Sequence, residues 1–148
     1  MVVVLGAHAD EVQAQLQPGR AQVVHCTDWD EGMAASLRCG FDAATGADWI
    51  VVLLADEPRM PIAAIERVVG AARAAPGDVL AARATWLGRP GHPVVLSARL
   101  GPRVAELRGD RGAREIVDSV AALELECGDL GEPRDIDTRE QLDEAARG

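Results

Sequence analysis

The sequence predicts an α/β fold with a mostly parallel sheet under helices, and three observations carry that reading. Residues 49–54 are six unbroken apolar residues, rich in Val and Ile and followed by Asp56, Pro58 and Pro61, the pattern of a strand buried on both faces. Short apolar runs alternate along the chain with apolar stripes at helical spacing, as strands alternate with helices in α/β proteins. Acidic residues or glycines stand where runs hand over to stripes, as at Asp10, Glu31 and Gly112. A helix N-terminus favours negative charge there, and glycine permits a sharp entry.

Taken in order, Val2 to Leu5 is a strand, Gly6 a turn, and the Asp10, Glu11, Val12, Leu16 pattern an acid-opened helix. Gln22 to Cys26 is a second strand, ending near His25. Met33, Leu37, Phe41 and Ala44 share one helical face, so a helix begins at about Met33 with Asp30 and Glu31 at its opening. On that face Met33, Leu37 and Phe41 read as core, and Ser36 as a solvated residue near the start. Gly32 lets the backbone pass close to whatever lies in front of the helix.

The central strand at Trp49 brings Asp56 just past its carboxyl end, the edge where open α/β sheets bind ligands. An Asp at that place either caps the next helix or turn or holds a divalent metal against a phosphate. Ile62, Ile65, Val69 and Ala72 mark a helix that stops before Pro76 and Gly77, and Val79 to Ala82 is a further strand. Residues 85–92, with two glycines and a proline, read as a lid loop in which His92 reaches a ligand or holds the turn, and Pro93 to Ser97 is again a strand.

Leu100, Val104 and Leu107 form a helical stripe, and Gly109 and Gly112 punctuate the entry to a helix containing Ile116 and Val117. The Gly-Asp-x-Gly turn is a connector or a source of N–H groups for an anion. Leu123, Leu125 and Cys127 alternate with Glu124 and Glu126, a strand with one wet face towards a sheet edge. Asp137 with Glu140 three residues on is close to a capping box opening the last helix, and on that account neither Asp135 nor Asp137 needs another role.

The length of 148 residues fits a single domain, 1–148, with a core of its own. Fifteen basic against twenty-four acidic residues give a net charge of −9, and no Lys occurs. That balance argues against nucleic acid or an anionic membrane as partner, since both require a cationic face. Cys26, Cys39 and Cys127 show no C-x-x-C spacing, so free thiols in a reducing compartment are expected, with neither disulfide framework nor zinc site. No charged leader precedes a long apolar segment, and no apolar run approaches eighteen residues, which predicts a cytoplasmic protein.

Four stretches, DWDEGMAASLRCG, VVLLADEPRMP, GRPGHPVVL with LRGDRGAR after it, and DIDTREQL, resemble in order and spacing the MobA-like nucleotidyltransferases. They are most similar to the molybdenum cofactor cytidylyltransferase branch, and the resemblance runs from Val2 to about Leu142. It implies a Rossmann-like three-layer nucleotidyltransferase fold that transfers CMP from CTP to molybdopterin and releases pyrophosphate. A different NTP, another phosphorylated acceptor such as a sugar phosphate, and a non-catalytic module binding the cofactor or a partner protein stand as alternatives. A molybdoenzyme or its maturation factor is the protein partner this implies.

Carried over by resemblance, Asp56 and Asp137 hold Mg2+ and act in catalysis. Gly32, Met33 and Ser36 read the base, and Gly91, His92, Asp110 and Arg114 face the pterin-bearing acceptor. Glu57 stands where the family usually has Gln, Arg139 where it tends to have Pro, and Gln141 where it has Asp. The family opens with a strand and a glycine-rich loop of the LAAGxSxRMGxxK type that holds the triphosphate, and this sequence has no such segment. The expectation is therefore a domain missing its first βα unit, N-terminally truncated, with impaired turnover.

Overall fold

Apolar runs become strands and helical stripes become helices in the predicted order: β1 (Val2–Leu5), α1 (Ala9–Gln15), β2 (Gln22–His25), α2 (Met33–Ala43), β3 (Trp49–Val52), α3 (Ile62–Ala74), β4 (Ala81–Trp86), β5 (Arg89–Ser97), α4 (Gly101–Glu106), α5 (Ala113–Asp118), β6 (Ala122–Glu126) and α6 (Arg139–Arg147). This computed structural model describes residues 1–131, 133, 135, 136 and 138–147. The chain divides into two units, residues 1–50 with 96–120 and residues 51–95 with 121–148.

In the first unit β1 and β2 pair in parallel, from Val2 against Gln22 to Leu5 against His25. The Cys26 N–H donates to the Leu5 carbonyl at 2.8 Å and prolongs the ladder by one residue. Helix α2 packs on both strands, and it does so closely because Gly40 has no Cβ: one added there would lie 3.1 Å from Val4 Cγ2. Arg38 fastens α2 by donating from Nη1 to the Leu107 carbonyl and from Nη2 to Glu31, both at 2.7 Å. Ala34, Ala35, Phe41, Leu100, Val104, Leu107, Ile116 and Val117 are buried. Of the α2 face expected to be core, only Phe41 is buried. Met33 is 54% exposed, because the small side chains of Ala34 and Ala35 take the inward positions of the first turn.

In the second unit a four-stranded sheet has the order β3-β5-β4-β6. Strands β4 and β6 are parallel, from Ala81 against Ala122 to Thr85 against Glu126. Helix α3 packs on them through buried Ala64, Val68 and Ala72. Two expectations are corrected here. Strand β3 is not central and not buried on both faces: it ends the sheet order and none of its four residues is buried.

Residues 85–92 are not a lid. They belong to a hairpin whose two-residue turn, Leu87 at φ 51° and Gly88 at φ 78°, has the left-handed conformation that matches strand twist. Gly91 and His92 are accordingly strand residues of β5. At the start of α6 the Thr138 hydroxyl accepts from the Gln141 N–H, and the Gln141 side chain accepts from the Thr138 N–H. Asp137 itself lies outside the described residues. Among the described residues no helix is long and apolar enough to cross a membrane.

Candidate functional site

After β3 the chain runs four residues to Asp56 and turns, with the Glu57 N–H donating to the Leu54 carbonyl at 3.4 Å and the Met60 N–H to the Glu57 carbonyl at 3.2 Å. The Ile136 N–H donates to the Asp56 carbonyl at 2.8 Å. That bond lays the Asp135–Ile136 segment against the loop, as expected if both acidic stretches follow strands on one sheet edge. Asp56 and Asp135 are exposed. Glu57 is largely buried, and among the described residues its Oε2 has no hydrogen-bond partner.

Burial, and then the charges of Asp135 and Asp56, push the Glu57 carboxyl up to about 7. His92 on β5 places Nδ1 4.0 Å from that Oε2. Burial lowers the His92 pKa against the opposing pull of Asp56 and Asp135. Both shifts favour uncharged forms, so below pH 7 this approach is not a charged pair. The backbone of His92 has a structural task, since its carbonyl accepts from Trp86 Nε1 at 2.9 Å. So does Gly91, where an added Cβ would fall 2.7 Å from Trp86 Cδ1.

The described residues that could hold a divalent ion are Asp56 and Asp135. Among the described residues no group of three or more His, Cys, Asp or Glu forms a ready metal cage. Two carboxylates beside a charge-crowded, largely buried Glu57 fit the mode in which Mg2+ takes one or two carboxylates and completes its shell with water and phosphate. Sequence alone leaves Asp135 unremarkable and marks Glu57 only as standing where the family it resembles usually has Gln, because what surrounds them comes from residues distant in the chain.

In the first unit, Gly32 at φ +106° sits where an added Cβ would be 2.6 Å from the Gly109 carbonyl carbon and 2.7 Å from Asp110 Oδ1. Only glycine meets both demands. The Ala34 N–H donates to the Gly109 carbonyl at 3.0 Å, and a Cβ on Gly112 would lie 2.9 Å from Met33 Sδ. The residues expected to read the base and the Gly-Asp-x-Gly turn therefore form one corner. Ser36 is half-buried in α2, and Arg114 stands on the exposed side of α5, 3.7 Å from Asp118. Asp110 thus groups with Gly32 and Met33, whereas Gly91 and His92 group with Asp56 in the second unit.

A cleft of about 380 Å³ opens beyond the ends of β1 and β2, with Gly6, His8, Glu11, His25, Thr27 and Trp29 among its walls. Trp29 closes on Gly6, where a Cβ would stand 2.9 Å from the Trp29 Cβ. His25 Nε2 bonds to Gln13 Oε1. The signal for this cleft was present in the sequence: the strands at Val2 and Gln22 are parallel neighbours, so the residues just past each share the carboxyl edge.

Residues 1–125 match the family model described as the MobA-like NTP transferase domain. Nicotine blue oxidoreductase of Paenarthrobacter nicotinovorans is 36% identical over 152 residues, covering 96% of this chain and 72% of that protein. Purine catabolism protein PucB of Bacillus subtilis (strain 168) is 36% identical over 127 residues, covering 82% of this chain and 60% of that protein. Among solved structures, Rv0371c from Mycobacterium tuberculosis H37Rv matches with a TM-score of 0.79 at 27% identity, over 99% of this chain and 75% of that one. Its complex with manganese matches with a TM-score of 0.78 at 25% identity, over 99% of this chain and 77% of that one. The architecture is the Rossmann-like α/β fold of nucleotidyltransferases.

Proposed function

The chain belongs to the MobA-like NTP transferase family of nucleotidyltransferases, and on that premise we propose that it moves the CMP group of CTP onto the phosphate of molybdopterin and releases pyrophosphate. The observation that carries this reading is the acidic loop after β3. There Asp56 and Asp135 flank a Glu57 whose own carboxyl is driven up to about 7, a local excess of negative charge that a divalent ion with its phosphate ligands offsets. Mg2+ held there would neutralise the attacked and attacking phosphates, and the manganese bound by Rv0371c is an ion of the same class.

Asp56 would be its first ligand, with the second carboxylate from Asp135 or Asp137. Gly32, Met33 and Ser36 read the base together with Asp110, whereas Gly91, His92 and Arg114 serve the acceptor. No His or Cys acts as general base, because a phosphate monoester is already a nucleophile at neutral pH. The work of the chain is to position the two phosphates in line and to balance their charge.

The test is pyrophosphate release by the purified chain with CTP, Mg2+ and molybdopterin. Asp56→Asn is expected to lower kcat/KM at least about 100-fold, on the scale of removing one transition-state charge contact, with the circular dichroism spectrum unchanged. Turnover with GTP or ATP, or with a sugar phosphate, would reassign the base or the acceptor. CTP binding without turnover on any acceptor would make the chain a binding module. Reduction of nicotine blue without pyrophosphate release would align it with the activity for which the P. nicotinovorans relative is named.

A further inference from the structure

We propose that Cys26 and Cys39 form a redox pair that closes to a disulfide, a covalent latch between the end of β2 and helix α2. Cys39 donates its S–H to Cys26 Sγ at 2.8 Å, and both thiols are free. A disulfide needs about 2.05 Å between sulfurs, so closure asks for a movement of less than about 1 Å. Both residues sit on fixed backbone: Cys26 is held to Leu5 by the extended β1 ladder, and Cys39 follows Arg38, which ties α2 to Leu107 and Glu31.

Access is unequal. Cys26 is 2% exposed, although it lines the cleft beyond β1 and β2, whereas Cys39 is only half-buried. Burial and the adjoining Cys26 push the Cys39 thiol up to about 11, with Asp28 adding to the effect and Arg38 opposing it. At neutral pH Cys39 is therefore a thiol, and it reacts through a small thiolate fraction that grows with pH.

The oxidant is a low-molecular-weight disulfide, RSSR. The Cys39 thiolate attacks one of its sulfurs, the Cys39–SR bond forms and RS⁻ leaves. The Cys26 thiolate then attacks Cys39 Sγ, the Cys26–Cys39 bond forms and the second RS⁻ leaves. Two cysteine thiols are oxidised, one RSSR is reduced, and the two thiol protons end on the two RSH released. The loop closed runs from residue 26 to residue 39 and contains Gly32, Met33 and Ser36, so oxidation restrains the corner those residues form with Gly109 and Asp110.

The inference is independent of the nucleotidyl-transfer reading, and its test needs no turnover. The folded chain is incubated with oxidised glutathione at pH 8, then analysed by intact mass and by non-reducing peptide mapping. The expected product is lighter by two hydrogen atoms, joins the Cys26 and Cys39 peptides and leaves Cys127 as its titratable thiol. Its melting temperature is expected to rise by roughly 5–10 °C. Cys127→Ala should give the same product. Cys39→Ser should give none while keeping the melting temperature of the reduced parent. Stable glutathione adducts without the internal link, or three unreacted thiols in folded protein, would overturn the proposal.

Discussion

Strands β3 and β4 lie in one sheet, yet their compositions would assign them the wrong way round. The run beginning at β3 holds no polar side chain, and Val51, Leu53 and Leu54 are 36, 47 and 38% exposed. Strand β4 carries Arg83 and Thr85, and all six of its residues are buried. The difference is place. Strand β3 ends the sheet order, whereas β4 lies between β5 and β6 with α3 packed on it. Arg83 is accommodated because its Nε and Nη2 donate to Glu124 Oε1 at 3.0 and 2.6 Å, and Thr85 donates to Glu126 at 2.9 Å. Apolarity gives a strand the capacity to be buried, and its neighbours decide whether it is.

Two glutamates, Glu57 after β3 and Glu126 paired with Thr85 of β4, repeat the contrast. Glu126 accepts from the N–H groups of Leu87, Gly88 and Gly128 and from the Thr85 hydroxyl. Those donors, the Gly128 N–H first, lower its pKa to about 2. Glu57 is largely buried, its Oε2 meets no donor among the described residues, and burial raises it to about 7. Residue type is the same in both cases, and the supply of N–H groups separates them.

The largest expected effect comes from crowding the covered strand. Ala84 is fully buried opposite Leu125, so Ala84→Leu should cost about 1–3 kcal/mol in urea unfolding. Val51→Thr on β3 should stay within about 0.5 kcal/mol. An equal or reversed pair of values would mean that β3 is covered in solution and would break the comparison.

Next comes the pH response of Glu57, read in the presence of a chelator. Its folded pKa is raised from 4.5 to about 7, so the stability tied to its neutral form is complete below 4.5 and is lost as pH rises through 7. Glu57→Gln should unfold at a higher temperature than the parent at pH 8, and at the same temperature at pH 4. Coincident melting curves at pH 8 would show that the carboxyl finds donors or water that the structure does not give it.

The smallest effect is expected at Glu126, a surface group whose folded pKa is lowered from 4.5 to about 2. Its contribution is present above 4.5 and is lost as pH falls towards 2, the opposite sign to Glu57. Glu126→Gln should therefore be less stable than the parent at pH 6, with the gap closing as acid titration approaches pH 2. A gap that stays constant with pH would assign the Glu126 effect to packing and leave the glutamate contrast resting on Glu57.

Periodicity made the order of strands and helices legible, and with it the position of Asp56 beyond a strand. Close approach at Gly32 was legible too, and Gly109 is the backbone that approaches. The hairpin turn at Leu87 and Gly88 was not, because leucine at φ 51° contradicts the residue preference of such turns. The exposure of β3 was hidden because an unbroken apolar run records what a strand could bury and not which neighbours it has. The nearness of Glu57 and Asp135 was hidden for a related reason: one bond, from the Ile136 N–H to the Asp56 carbonyl, unites segments some eighty residues apart, and no local pattern announces it.

The interleaved make-up of the two units has a consequence for biosynthesis. Residues 1–50 need 96–120, and residues 51–95 need 121–148, before either unit is complete. The parallel partner of Ala81 is Ala122, so at about 5–20 residues per second β4 waits roughly 2–8 s on the ribosome for β6. During that interval the β4–β5 hairpin and α3 are the local structure available to shield its apolar residues. Cutting the gene at residue 95 would divide both units between the two fragments, so neither unit can settle until the chain has emerged past residue 120.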